Sequence, residues 1–104
     1  MKAKAKVLSL IALLAAAASA QADAGLELAQ KKNCLACHAV DHKIVGPAYK
    51  DVAAKYAKDK DAADKLSAKI IKGGSGVWGT MVMPPNAVTE AEAKQLAQWV
   101  LSQK

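Results

Sequence analysis

From residue 23 onward the apolar positions recur three and four residues apart, and no stretch alternates apolar with polar as a half-buried strand would. A short helix is predicted from about Ala24 to Lys32, delivering the chain to Cys34. After Pro47, the residues Tyr49, Val52, Ala53 and Tyr56 form an i, i+3, i+4, i+7 stripe. Ala63, Leu66 and Ile70 line one face of a segment that begins near Asp61 and stops at Gly73-Gly74, a pair suited to a helix C-terminus. The last helix opens with Thr89 and Glu92 spaced as a capping box and carries Ala93, Leu96, Ala97, Val100 and Leu101 on one stripe. The predicted fold class is therefore all-α, with four short helices. Two loops, Asp41 to Ala48 and Gly73 to Val88, join them; the second has sixteen residues and no periodicity, and loops that long in a small domain usually carry function.

The N-terminus follows a different pattern. Lys2, Lys4 and Lys6 precede a twelve-residue, mainly apolar run from Val7 to Ala18, followed by the small-x-small triplets Ala18-Ser19-Ala20 and Ala20-Gln21-Ala22. A transmembrane helix needs about 18 or more apolar residues. Residues 1–22 thus read as a cleavable secretory signal, with cleavage before Asp23 preferred over cleavage before Gln21, and residues 23–104 as one domain exported to the periplasm without a stable membrane anchor. No cysteine stands at the cleavage site to take a lipid.

The remaining 82 residues are close to the size at which a core alone gives marginal stability and a staple or cofactor is needed. There is no Phe, the aromatics are Tyr49, Tyr56, Trp78 and Trp99, and alanine is abundant, so a large apolar group can occupy the middle. Losing Lys2, Lys4 and Lys6 with the signal lowers the formal charge from +6 to +3. Arginine is absent and the lysines are interleaved with Asp and Glu, which argues against nucleic acid as a partner.

Cys34, Cys37 and His38 fall within five residues, and three chemistries compete for them. Zinc could draw on these three and His42, the full Cys and His complement. Adjacent Cys37 and His38 do not easily turn to one ion, however, and the usual spacer between ligand pairs is missing. A thioredoxin-like dithiol expects a βαβ setting. C-x-x-C-H is also the attachment motif of haem c, in which each thiol adds to a vinyl group and the following histidine brings its imidazole to the iron. The export signal and the missing aromatics favour haem. His42 lies too near His38 to reach the other side of the iron, leaving Met81 and Met83 in the long loop, with Met83-Pro84-Pro85 the stiffer setting. In the same loop, Gly74-Ser75-Gly76-Val77-Trp78-Gly79 matches G-x-G-x-x-G but follows a helix, so its glycines read as permitting tight bends and not as a dinucleotide fingerprint.

C-L-A-C-H at 34–38, V-G-P-A-Y-K-D-V-A-A-K-Y at 45–56, G-V-W-G at 76–79, M-P-P-N-A-V at 83–88 and L-A-Q-W-V-L-S-Q-K at 96–104 occur together and in order. Through them the chain resembles the small bacterial class I cytochromes c of the c551/c552 type over essentially all of residues 23–104. The resemblance implies four helices wrapped around one covalent haem c, thioether attachment at Cys34 and Cys37, and His38 and Met83 as axial ligands of the iron. It further implies that the Pro47 carbonyl orients the His38 imidazole, that Trp78 and Lys69 hold a haem propionate, that Asn86 donates toward the methionine ligand, and that Trp99 packs in the core of the last helix. Two positions depart from the pattern. Val82 stands where many relatives have proline, and Lys69 where some have arginine.

The function implied is that of a periplasmic one-electron carrier, not an enzyme. It would work as a monomer between respiratory complexes, such as a quinol-oxidising donor and a terminal oxidase or nitrite reductase as acceptor. The competing readings are a small haem peroxidase or sensor with a labile methionine ligand, and a zinc-binding module.

Overall fold

The computed structural model describes residue 20 and residues 22–104. The predicted signal, residues 1–22, therefore lies outside the described residues apart from its positions 20 and 22. Helix α1 covers residues 22–31 and leads to a single 3-10 turn, Cys34–Ala36. Then follow α2 (Tyr49–Lys55), α3 (Ala62–Lys72) and α4 (Glu90–Leu101). Among the described residues extended pairing is limited to two isolated antiparallel bridges, His38 with Lys43 and Gly74 with Met83.

Helix α4 is the spine. Its first turn is closed by the predicted capping box: the Thr89 hydroxyl accepts from the Glu92 N–H at 3.1 Å, and the Glu92 carboxylate accepts from the Thr89 N–H at 3.0 Å. Such a cap stabilises a helix by about 1 kcal/mol. Both α2 and α3 pack on α4. Helix α1 reaches it through Gly25, where a Cβ would overlap the Trp99 indole, and Lys32, just past the end of α1, forms a 3.5 Å ion pair with Glu92. Because three helices lean on α4, its buried face is wider than one stripe. Trp99 joins Ala93, Leu96, Ala97 and Val100 in the core, while Leu101 is only half-buried. The same widening buries Ala62 on α3 and leaves its predicted neighbour Ala63 partly exposed.

Alanine sets the spacing of these helices. Ala29, Ala93 and Ala97 are fully buried, and a methyl group there lets backbones approach closely. Leu66, Leu96, Val52 and Val100 supply most of the aliphatic burial, each worth roughly 1.5–3 kcal/mol when removed from water. Among the described residues no large side chain is completely enclosed, so the helices form a shell open on one side.

Helix α2 begins without a side-chain cap, since the buried Ala48 at its N-terminus has no side-chain acceptor. Its free N–H groups find backbone partners instead: Tyr49 donates to the Ala39 carbonyl at 2.9 Å and Lys50 to Val40 at 3.0 Å. These bonds satisfy donors that every helix N-terminus leaves unpaired. They also tie the segment following His38 to the start of a helix.

Candidate functional site

The C-x-x-C-H segment is folded as one tight turn. Asn33 precedes it with φ at 62°, a left-handed conformation that asparagine tolerates better than most residues. The Cys34 carbonyl then accepts from the N–H groups of both Cys37 (3.2 Å) and His38 (3.0 Å). Both cysteines are free thiols and half-buried. Cys34 packs against the core, and burial pushes its thiol above the ordinary range.

The turn sets His38 in a firm frame. Its Nδ1 lies 2.8 Å from the Pro47 carbonyl, which can only accept, so Nδ1 carries the proton and Nε2 keeps its lone pair free. Behind the ring, Gly46 sits so close that a Cβ there would overlap the imidazole. Tyr49 stacks on it with centroids 4.9 Å apart and planes 20° from parallel, and meets Trp99 edge-on at 5.2 Å. Burial first, and the neighbouring Cys34 second, push the Tyr49 hydroxyl far above its ordinary range, so it stays protonated. The loop between is held by the Cys37 carbonyl, which accepts from Val45 (3.1 Å) and Gly46 (2.8 Å).

The long loop fixes Met83 by its backbone. Gly73 ends α3 with φ at +75° and donates to Lys69 at 2.7 Å. Gly74 and Met83 then exchange two hydrogen bonds, N–H to carbonyl at 3.0 and 2.8 Å. A side chain at Gly73 would strike the Met83 carbonyl, so the glycine allows the close approach of the two segments. Gly76 and Gly79 adopt φ of 92° and 113° around a 2.9 Å bond from the Gly76 N–H to the Gly79 carbonyl, so these glycines of the G-x-G-x-x-G stretch make bends. Asn86 closes the loop: its Nδ2 donates to the Ile70 carbonyl at 2.9 Å and to Pro84 at 3.3 Å.

These pieces surround one apolar cleft of about 890 Å³, counting its open mouth. Cys37, His38, Pro47, Lys69, Trp78 and Met83 all line it, with Ala97 and Val100 of α4 among the residues of its wall. Cys34 and Asn86 are not part of the lining. At the mouth, Trp78 is 41% exposed, and the Lys55 ammonium lies 5.5 Å from its ring centre, within cation–π range. His42 points away, exposed, with Nδ1 2.9 Å from the Asp41 carboxylate. Among the described residues no three His, Cys, Asp or Glu side chains converge where a metal ion could be held.

Sequence reasoning missed Gly46, the stacking of Tyr49 on His38, the part of Gly73 and Gly74 in placing Met83, and Lys55 over Trp78. Gly46 could have been noticed, since it adjoins Pro47, and Gly73-Gly74 is legible in the sequence as the end of a helix. The aromatic stack and the cation–π contact join residues far apart in the chain and have no local signal.

The donor set is coherent. The Cys37 thiol, the His38 imidazole with an available Nε2 and the Met81 and Met83 thioethers line an apolar cleft, and a second free thiol, Cys34, stands three residues before Cys37, the chemistry that a covalently attached haem demands. The cytochrome c family matches residues 22–104. The chain is 65% identical to cytochrome c-552 of Hydrogenobacter thermophilus over 78 residues, 75% of this chain and 80% of that protein. It is 57% identical to cytochrome c-551 of Azotobacter vinelandii over 82 residues, 79% of this chain and 100% of that one. The crystal structure of wild-type Nitrosomonas europaea cytochrome c552 superposes with a TM-score of 0.74 at 57% identity, over 76% of this chain and 99% of that chain. The protein therefore belongs to the cytochrome c family. Within it the chain is of the small class I c551/c552 type, an all-α electron carrier whose cofactor is haem c.

Proposed function

We propose that the protein is a monomeric one-electron carrier of the bacterial periplasm, with haem c bound through Cys34 and Cys37 and its iron held between His38 and Met83. The observation that carries this reading is the backbone control of both ligands within one cleft: His38 through the Pro47 carbonyl, and Met83 through its pair of bonds to Gly74. Haem c supplies an iron centre that takes up or gives away one electron.

The chain's own residues make that exchange easy. With Nδ1–H committed to Pro47, His38 would present a lone pair at Nε2 to the iron in a fixed orientation. The neutral, soft Met83 sulfur favours the reduced state and raises the potential. Neither side chain has to leave its frame when the charge changes, so little rearrangement opposes transfer. Lys69 and Trp78 line the cleft where a propionate would be held, and Asn86 acts by clamping the methionine loop to α3. The reading assigns no catalytic residue. A quinol-oxidising complex as donor and a terminal oxidase or nitrite reductase as acceptor complete the proposal.

Intact-mass analysis of the protein isolated from a bacterium that matures c-type cytochromes tests the reading. The mass should equal residues 23–104, or 21–104 with the alternative cleavage, plus one haem. A full-length mass, or a mass without the haem increment, contradicts it. In Cys34→Ala with Cys37→Ala the increment should disappear.

A further inference from the structure

Met81 has no part in the function proposed above, yet it lines the same cleft as Met83. It stands two residues earlier, separated from Met83 by Val82, which also lines the cleft. Its side chain is 64% exposed, and the intervening Val82 is 68% exposed, so moving either one gives up little burial. The register that selects Met83 is set by the single pairing of Gly74 with Met83. Between these positions, among the described residues, the one backbone hydrogen bond internal to the loop is the Gly76–Gly79 turn. A Cβ at either glycine would meet no neighbour and both already occupy positive φ, so on that side the turn is not packed against the rest of the protein. Val82 leaves its φ free, where a proline ring would fix it.

We propose that Met81 is a second, exchangeable sulfur ligand for the haem iron, brought in by a two-residue slip of the loop past Gly74. A slip of two keeps every side chain on its own face, and a slip of one does not. After the slip, Gly74 pairs with Met81 through the same two backbone bonds it now makes with Met83. Met83 is preferred in the intact protein because Pro84, Pro85 and the Asn86 clamp on Ile70 resist displacement of the stretch that follows it. The chain thus keeps sulfur available to the iron when the Met83 thioether is lost. This inference rests on the reading of Met83 as the native ligand.

The test compares holo-protein carrying Met83→Ala, Met81→Ala and both substitutions, with methyl-labelled methionine. Far-UV circular dichroism verifies the fold of each, and Met83→Val replaces Met83→Ala if the latter loses its helical signal. In Met83→Ala the ferric sulfur-to-iron charge-transfer band should be reduced but present, and the ferrous protein should show a strongly upfield-shifted methionine methyl resonance. Both signals should be absent from the double variant. Identical spectra for Met83→Ala and the double variant, with neither signal, overturn the exchange while leaving Met83 as native ligand. Loss of the band in Met81→Ala with the full band kept in Met83→Ala overturns the Met83 reading itself, and the exchange with it.

Discussion

At Gly46 the absence of a side chain determines where the His38 ring can stand. The imidazole is boxed between the Gly46 backbone, the Pro47 carbonyl and the Tyr49 ring, and a Cβ at Gly46 would overlap it. Gly46→Ala must push the ring or the backbone aside, an overpacking change that costs about 1–3 kcal/mol. Chemical denaturation of the holo-protein should show that loss, and the reduction potential should shift as the ring tilts. An unchanged denaturation midpoint would contradict the crowding argument. Individual residues were legible in the sequence to the extent that their chemistry is local. C-x-x-C-H announces its thiols and imidazole by spacing, and Met83 is marked by the prolines beside it. What surrounds His38 was not legible, because Gly46 and Tyr49 act by proximity that appears only once the chain has turned. Asn86 shows the same limit in its contacts to the Ile70 and Pro84 carbonyls, a partnership between α3 and the loop that no spacing encodes.

At the scale of elements, the helices were legible because each carries its own signal. The Thr89–Glu92 box starts α4, and Gly73 ends α3 with its left-handed φ. The width of each buried face was legible only in part: Trp99 sits in the core as expected, whereas Ala62 is buried outside the expected Ala63, Leu66, Ile70 stripe. The box also carries a pH dependence. Glu92 is held below the usual carboxylate range, first by the hydrogen bond from the Thr89 N–H and then by the Lys32 ammonium. A carboxyl lowered on folding contributes stability that is present above its unfolded value and is lost as pH falls through its folded value. Glu92→Gln keeps an acceptor for Thr89 but removes the charge. Denaturation across pH should therefore show wild type more stable at neutral pH, with the gap closing as the solution is acidified below the usual carboxylate range. A gap that stays constant with pH would contradict the charge component. The surface pairs Lys65–Asp59 (2.7 Å) and Lys94–Asp64 (3.7 Å) are solvent-exposed and contribute little.

At the scale of the whole molecule, composition and cofactor explain one another. With no Phe and with alanines at the closest helix contacts, the helices leave one side of the shell open and lined by apolar groups. Val45, Val77, Trp78, Met81 and Val82 remain substantially exposed around its mouth. An apolar, planar cofactor anchored at the cysteine turn gives those groups a partner and places a redox centre near the surface, where another protein can approach it. No described helix is long and apolar enough to cross a membrane. The central claim is that this chain supplies both axial ligands of the iron and holds them in place, which separates a carrier from a peroxidase or a sensor. Carbon monoxide offered to the native ferrous protein at neutral pH tests it most directly. The account predicts an absorption spectrum unchanged by the gas, because His38 and Met83 occupy both positions and the loop bonds to Gly74 and Ile70 keep Met83 there. Rapid formation of a carbon monoxide complex would show an open or labile position and would contradict it.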